Sequence, residues 1–162
     1  MRIRLIIVWL EGEEVITYII GLWLASLLLG YELAFTGATL AIGRSIGDTD
    51  GSTGFQDAIT PPWSTNFAIV SYVAAIGAVG YGWYQYGWLT GIGIVVGFFF
   101  LVVINKVVLL PKSESDHFKR LILRSMINRY ADFKKSGDDV RAAAMATLLD
   151  KLGTPVPEEL QR

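Results

Sequence analysis

The chain has 162 residues, 52% apolar and 18% charged, with 14 Lys and Arg against 15 Asp and Glu and a formal net charge of −1. That charged fraction falls below the roughly 25% of soluble domains, and the near-neutral balance supplies no global field for nucleic acid. No cysteine and a single histidine, His117, exclude disulfides, thiolate metal sites, paired-histidine haem ligation and a di-iron site built on two Glu-x-x-His repeats within one chain.

At the amino terminus, Arg2 and Arg4 precede a short aliphatic stretch, residues 5–10, that runs into Glu11, Glu13 and Glu14 rather than a small-residue cleavage site. No cleavable signal is expected. Residues 1–14 read as an interfacial segment, with a strand buried in a partner as the alternative. The first apolar run, 15–42, is longer than a hydrocarbon core of about 30 Å requires at about 1.5 Å per residue. It is expected to tilt or to extend past the membrane at one end. A break near Gly30 into two short helices would instead give four crossings.

Residues 44–66 form a turn-rich connector holding Gly47, Gly51, Gly54 and the pair Pro61-Pro62. Its Asp48, Asp50, Ser52 and Asp57 resemble a calcium loop. Counting from Asp48, however, Thr53 stands where the turn glycine belongs and Ile59 where the bidentate glutamate belongs. A plain polar turn is the better reading.

From Phe67 to Asn105 nearly forty residues pass without a charged side chain or histidine. That is too long for one crossing of about 20 residues. The cluster Tyr81, Trp83, Tyr84, Tyr86 and Trp88 lies in its middle, and aromatic rings of this kind anchor at the headgroup level. The pattern predicts a hairpin of spans 67–82 and 88–110, joined by an aromatic turn and closed by Pro111.

Residues 111–162 change character at once. Ser113 followed by Asp116 suggests a helix start. Phe118, Ile122, Met126, Tyr130 and Phe133 then recur at helical spacing and form one apolar stripe. Gly137 is expected to stop this helix, Asp138 or Asp139 to cap the next, and Ala144, Leu148 and Leu152 to continue it. The fold class is therefore all-α and integral to a membrane: an interfacial segment 1–14, about three spans within 15–110, and a helical-hairpin tail.

Ten of the fourteen Lys and Arg follow Pro111, which places the tail in the cytoplasm by the positive-inside rule. The expected location is a plasma membrane of the bacterial inner-membrane kind. With three crossings the amino terminus lies outside.

Among candidate site residues, Glu32 stands out, because a carboxylate within an apolar run is costly unless paired, neutral or turned to a polar cavity. It reads as a proton carrier, a structural pair or an interfacial residue. Asn105 and Lys106 are the other intramembrane polar pair, with Lys106 placed to snorkel. Small residues recur every four positions at Gly30, Ala34 and Ala38, at Ala74, Ala78 and Gly82, and at Gly93 and Gly97. Such faces let helices pack closely in lipid. The tail stripe from Phe118 to Phe133 reads as a docking surface, or as one covered by the second tail helix. His117 beside Asp116 is the only foothold for catalysis, and helix neighbours one apart do not face each other.

These residues point to a non-catalytic accessory or scaffolding subunit of a larger membrane complex. It would have no cofactor or metal, and would take the lipid bilayer and other integral subunits as partners. A small homo-oligomeric channel or transporter using Glu32 is the rival reading.

Overall fold

The computed structural model describes the backbone of residues 2–47 and 59–157, and the side chains of 14–47 and 59–157. Among these residues all regular structure is helical: α1 (Arg2–Ser45), α2 (Pro62–Ile104), a π-helical turn (Asn105–Leu109), α3 (Asp116–Ser136) and α4 (Asp139–Lys151). The expected polar turn at 48–57 lies outside the described residues, as do the side chains of 2–13.

Helix α1 contains no proline and runs unbroken through both the acidic residues at 11–14 and Gly30. The backbone of 2–14 is thus helical and continuous with the rest of α1, rather than a strand. The helix ends where Arg44 favours the negative end of the dipole and Gly47 adopts φ 95°. Pro62 opens α2 at the position where its missing N–H costs nothing, and the Ser64 hydroxyl donates to Pro61 O at 2.7 Å.

Gly87 is the one non-helical residue within α2, at φ 82° and ψ 170°, a conformation essentially reserved for glycine. The two halves fold back on each other about this point. A Cβ placed on Gly82 would come 2.8 Å from Ile94 Cδ1, and one on Gly91 would come within 2.7 Å of the Trp83 ring. Ala75 and Phe98 share one buried cluster. The helix before the break is longer than the sequence pattern suggests, because Trp83 to Tyr86 remain helical where a turn beginning at Gly82 is expected.

The chain divides into two compact units, Met1–Leu33 with Phe67–Leu110, and Ala34–Asn66 with Pro111–Arg162. In the first, Ala25 and Leu29 of α1 pack with Ala75, Phe98 and Val102 of α2. Its buried cluster is small, and many of its large hydrophobic side chains are exposed. Among the described residues, every exposed large hydrophobic side chain except Leu40, Trp63 and Val140 belongs to this unit. Glu14–Ser45 and Pro62–Leu109 are each long and apolar enough to cross a membrane.

The second unit is built the other way round. Phe118, Ile122 and Met126 of α3 are fully buried, as are Ile59 and Leu149, and Ala34, Phe35 and Ala38 contribute from the end of α1. Phe35 stacks near Trp63 and Phe118, with centroids 5.2 and 5.9 Å apart. Arg129 Nη2 donates to Thr60 O at 2.6 Å. Helix α3 begins at Asp116 with Ser115 as its N-cap, two residues later than the Ser113 pattern suggests. Gly137 closes it in the left-handed conformation, with Asp138 N donating to Phe133 O. The Asp138 carboxylate caps α4 by accepting from Arg141 N. Across the same junction, Lys134 Nζ donates to Asp139 at 3.1 Å, and this hydrogen bond holds the lysine above its ordinary pKa of 10.5.

Candidate functional site

The first unit carries its polar groups inside. Asn105 and Ser26 are buried, at 2% and 0% exposure, and Asn105 Nδ2 donates to Ser26 Oγ at 2.7 Å. Ser26 Oγ in turn donates to Trp23 O at 2.6 Å, so the two side chains form a chain of hydrogen bonds linking α1 to the π turn. This turn ends where Leu110 N donates to Asn105 O at 2.9 Å and Leu110 becomes extended ahead of Pro111. A π turn adds one residue to the helical repeat.

Gly30, one helical turn from Ser26, lies against the same segment. A Cβ there would stand 3.0 Å from Leu110 Cδ1 and 3.5 Å from Val102 O. Ser26 is the site residue that the sequence reading overlooks. It continues the four-residue register of Gly30, Ala34 and Ala38 one step towards the amino terminus, and that register is visible in the sequence.

At the other end of this unit the Tyr18 hydroxyl donates to Ala78 O at 3.0 Å, and its ring lies 5.7 Å from those of Tyr81 and Tyr86. Gly82 makes room for this, since a Cβ there would collide with the Tyr18 hydroxyl. Beside it a groove of about 350 Å³ runs between α1 and α2, walled by Leu22, Ala25, Leu28 and Ala74 with Tyr18 and Tyr81 at its rim.

The expected site residues are placed differently from one another. Asn105, Gly30, Ala74, Ala78 and Gly82 pack within the first unit, whereas Ala34 and Ala38 are buried in the second. Gly93 and Gly97 are exposed, and a Cβ on either would meet nothing within 4 Å. Glu32 is buried at 8% exposure, and Lys106 is exposed. In the tail, Phe118, Ile122, Met126 and Tyr130 are covered within their own unit, while Phe133 is half-buried under the Arg141 guanidinium, 5.9 Å from its ring centroid. The surface offered for docking is therefore an internal one.

The polar contacts of the first unit join its own helices. His117 sits on α3 with its ring 5.3 Å from Phe118, and among the described residues no three His, Cys, Asp or Glu cluster as metal ligands would. Compared with protein family models, characterised proteins and solved structures, the chain matches none.

Asn105→Leu is expected to weaken the first unit by about 0.5–2 kcal/mol, the range of interhelical hydrogen bonds in membranes. Ser26→Ala should cost a similar amount, and the double variant little more than either. Denaturant titration in mixed micelles measures all three, and strictly additive losses would show that the bond contributes nothing.

Proposed function

We propose that the protein is an integral membrane subunit without catalytic activity, whose first unit lies in the bilayer and packs against other integral subunits. The observation that carries the membrane assignment is the apolar exterior of that unit, with Ile76, Trp88, Leu89, Phe100 and Val107 all about two-thirds or more exposed. In water such a continuous apolar surface would drive association; in lipid it is the favourable solvent contact. The three segments of the unit, 15–33, 67–86 and 88–110, are each close to the roughly 20 residues one crossing needs. Three crossings then put the amino terminus outside. The ten basic residues after Pro111 put the second unit in the cytoplasm.

A subunit role is favoured by the division of the small-residue faces. Gly30 and Gly82 are used up in internal packing, but Gly93 and Gly97 leave a smooth strip of α2 open to a helix from another chain. A wet pathway is not favoured, because Asn105 and Ser26 satisfy each other in the interior rather than lining a path.

The buried Glu32 is what a transporter formed by several copies would use. The two readings part on one residue. As a structural group, Glu32→Gln should keep assembly and Glu32→Leu should weaken it by about 1–3 kcal/mol. If Glu32 carries protons, the Gln variant will assemble normally and lose transport. The first experiment is mild extraction from the native membrane followed by intact-complex mass measurement. A defined complex with larger polypeptides supports the subunit role, and a pure homo-oligomer overturns it.

A further inference from the structure

The carboxy-terminal segment of the second unit begins immediately after Leu110, and its first fourteen residues hold Lys112, Lys119, Arg120 and Arg124 against only Glu114 and Asp116. All four cations are exposed. Among the described residues none of them forms an ion pair, for the two ion pairs of this unit are Lys134 with Asp139 and Arg141 with Asp138. Arg129 differs again, being committed to Thr60 O. Arg120 Nε donates to the Asp116 carbonyl at 3.2 Å, which braces the side chain while leaving its terminal nitrogens available. At 100° per residue, Arg120 and Arg124 stand about 6 Å apart along α3, on the face opposite Phe118, Ile122 and Met126. The burial of that stripe fixes which way the two guanidinium groups face.

From these observations we infer that Arg120 and Arg124, with Lys112 just ahead of the helix, form a binding surface for anionic phospholipid headgroups. The inference rests on the membrane reading given above. Four Lys and Arg directly after a membrane span constitute the pattern that anionic lipid attracts, and guanidinium groups suit phosphate by forked hydrogen bonds. The tether reinforces this choice of partner: the five residues 111–115 reach at most about 18 Å, so the start of α3 stays close to the bilayer surface. A long acidic polymer such as nucleic acid would meet a chain whose overall charge is −1.

The test uses the full chain in nanodiscs of phosphatidylcholine containing a small fraction of phosphatidylglycerol, with retained lipids counted by native mass spectrometry. The wild type should retain phosphatidylglycerol in excess of its bulk fraction. Arg120→Gln with Arg124→Gln should lower that preference about five-fold per charge removed. The charge-matched pair Arg141→Gln with Lys151→Gln should leave it unchanged. Equal losses from both pairs would reduce the effect to net charge and overturn the inference. Displacement of the retained lipid by millimolar glycerol phosphate or by an oligonucleotide would likewise overturn it, by showing a site for free anions. Resistance of the chain to alkaline extraction is read alongside. An inserted chain with no anionic preference defeats this inference alone, and a chain that does not insert defeats both it and the membrane reading.

Discussion

Phe118→Ala is expected to destabilise the second unit by about 3–5 kcal/mol, the usual cost of truncating a fully buried phenylalanine. The ring has no exposed surface and is the largest fully buried side chain described. It lies edge-on to Phe35, which comes from a helix more than eighty positions away in the chain. Its removal leaves a cavity walled by α1 as well as by the tail, so the loss should spread to both segments of the unit. Because the chain has no cysteine, a single Cys introduced at buried Met145 provides a clean probe: its labelling rate should rise by about 100-fold or more in the Ala variant. Val140→Ala is the reference, since Val140 is 82% exposed and surface changes of this kind stay within about 0.5 kcal/mol. An unchanged labelling rate on Phe118→Ala would show that the α3 stripe is not covered by the chain itself.

The second large effect separates folding from assembly. Gly82→Val should disrupt the first unit, because even its Cβ collides with the Tyr18 hydroxyl and presses on Ile94. The Tyr18 to Ala78 hydrogen bond must break or α1 must move away. Overpacking of this kind costs about 1–3 kcal/mol, and more where backbone cannot yield. Gly93→Val meets open space and should leave the isolated chain intact while releasing it from its complex, if the strip at Gly93 and Gly97 seats a partner helix. The pair is read by denaturant titration of the purified chain and by co-purification from the membrane. Retention of the complex by Gly93→Val would exclude that strip as the subunit contact.

Local signals in the sequence account for most of what is helical here. Pro62 and Pro111 mark a start and a stop, Gly137 and Asp138 mark the junction between α3 and α4, and the spacing of Phe118, Ile122, Met126 and Tyr130 marks a buried face. Each depends on a residue and its neighbours within one or two turns. What covers that face is a different kind of fact. Phe35 reaches it across a large sequence separation, and no periodicity within the tail encodes it, so the stripe reads equally well as a surface awaiting a partner.

The same limit explains the small residues. A four-residue repeat shows that a face is smooth, but Gly30 and Gly97 look alike in sequence, although one is packed against Val102 O and the other is open. Asn105 is legible as a polar residue in an apolar run. Its partner Ser26 lies 79 positions away, and serine alone carries too little cost in a membrane helix to attract notice. The extension of α1 through residues 11–14 follows from the helix-forming tendency of glutamate, which the charge pattern obscures.

The second unit is discontinuous, and that sets an order of events during synthesis. Residues 34–66 leave the ribosome first, with Phe35 and Ile59 awaiting the partners that bury them. At about 5–20 residues per second, several seconds pass before Phe118 and Ile122 emerge, and in that interval the whole apolar stretch from Phe67 to Leu110 is made. The core of the second unit therefore closes only over a chain whose apolar stretch has already been made. A nascent polypeptide stalled within that stretch keeps Phe35 uncovered, and so displays the kind of surface that chaperones and proteases recognise.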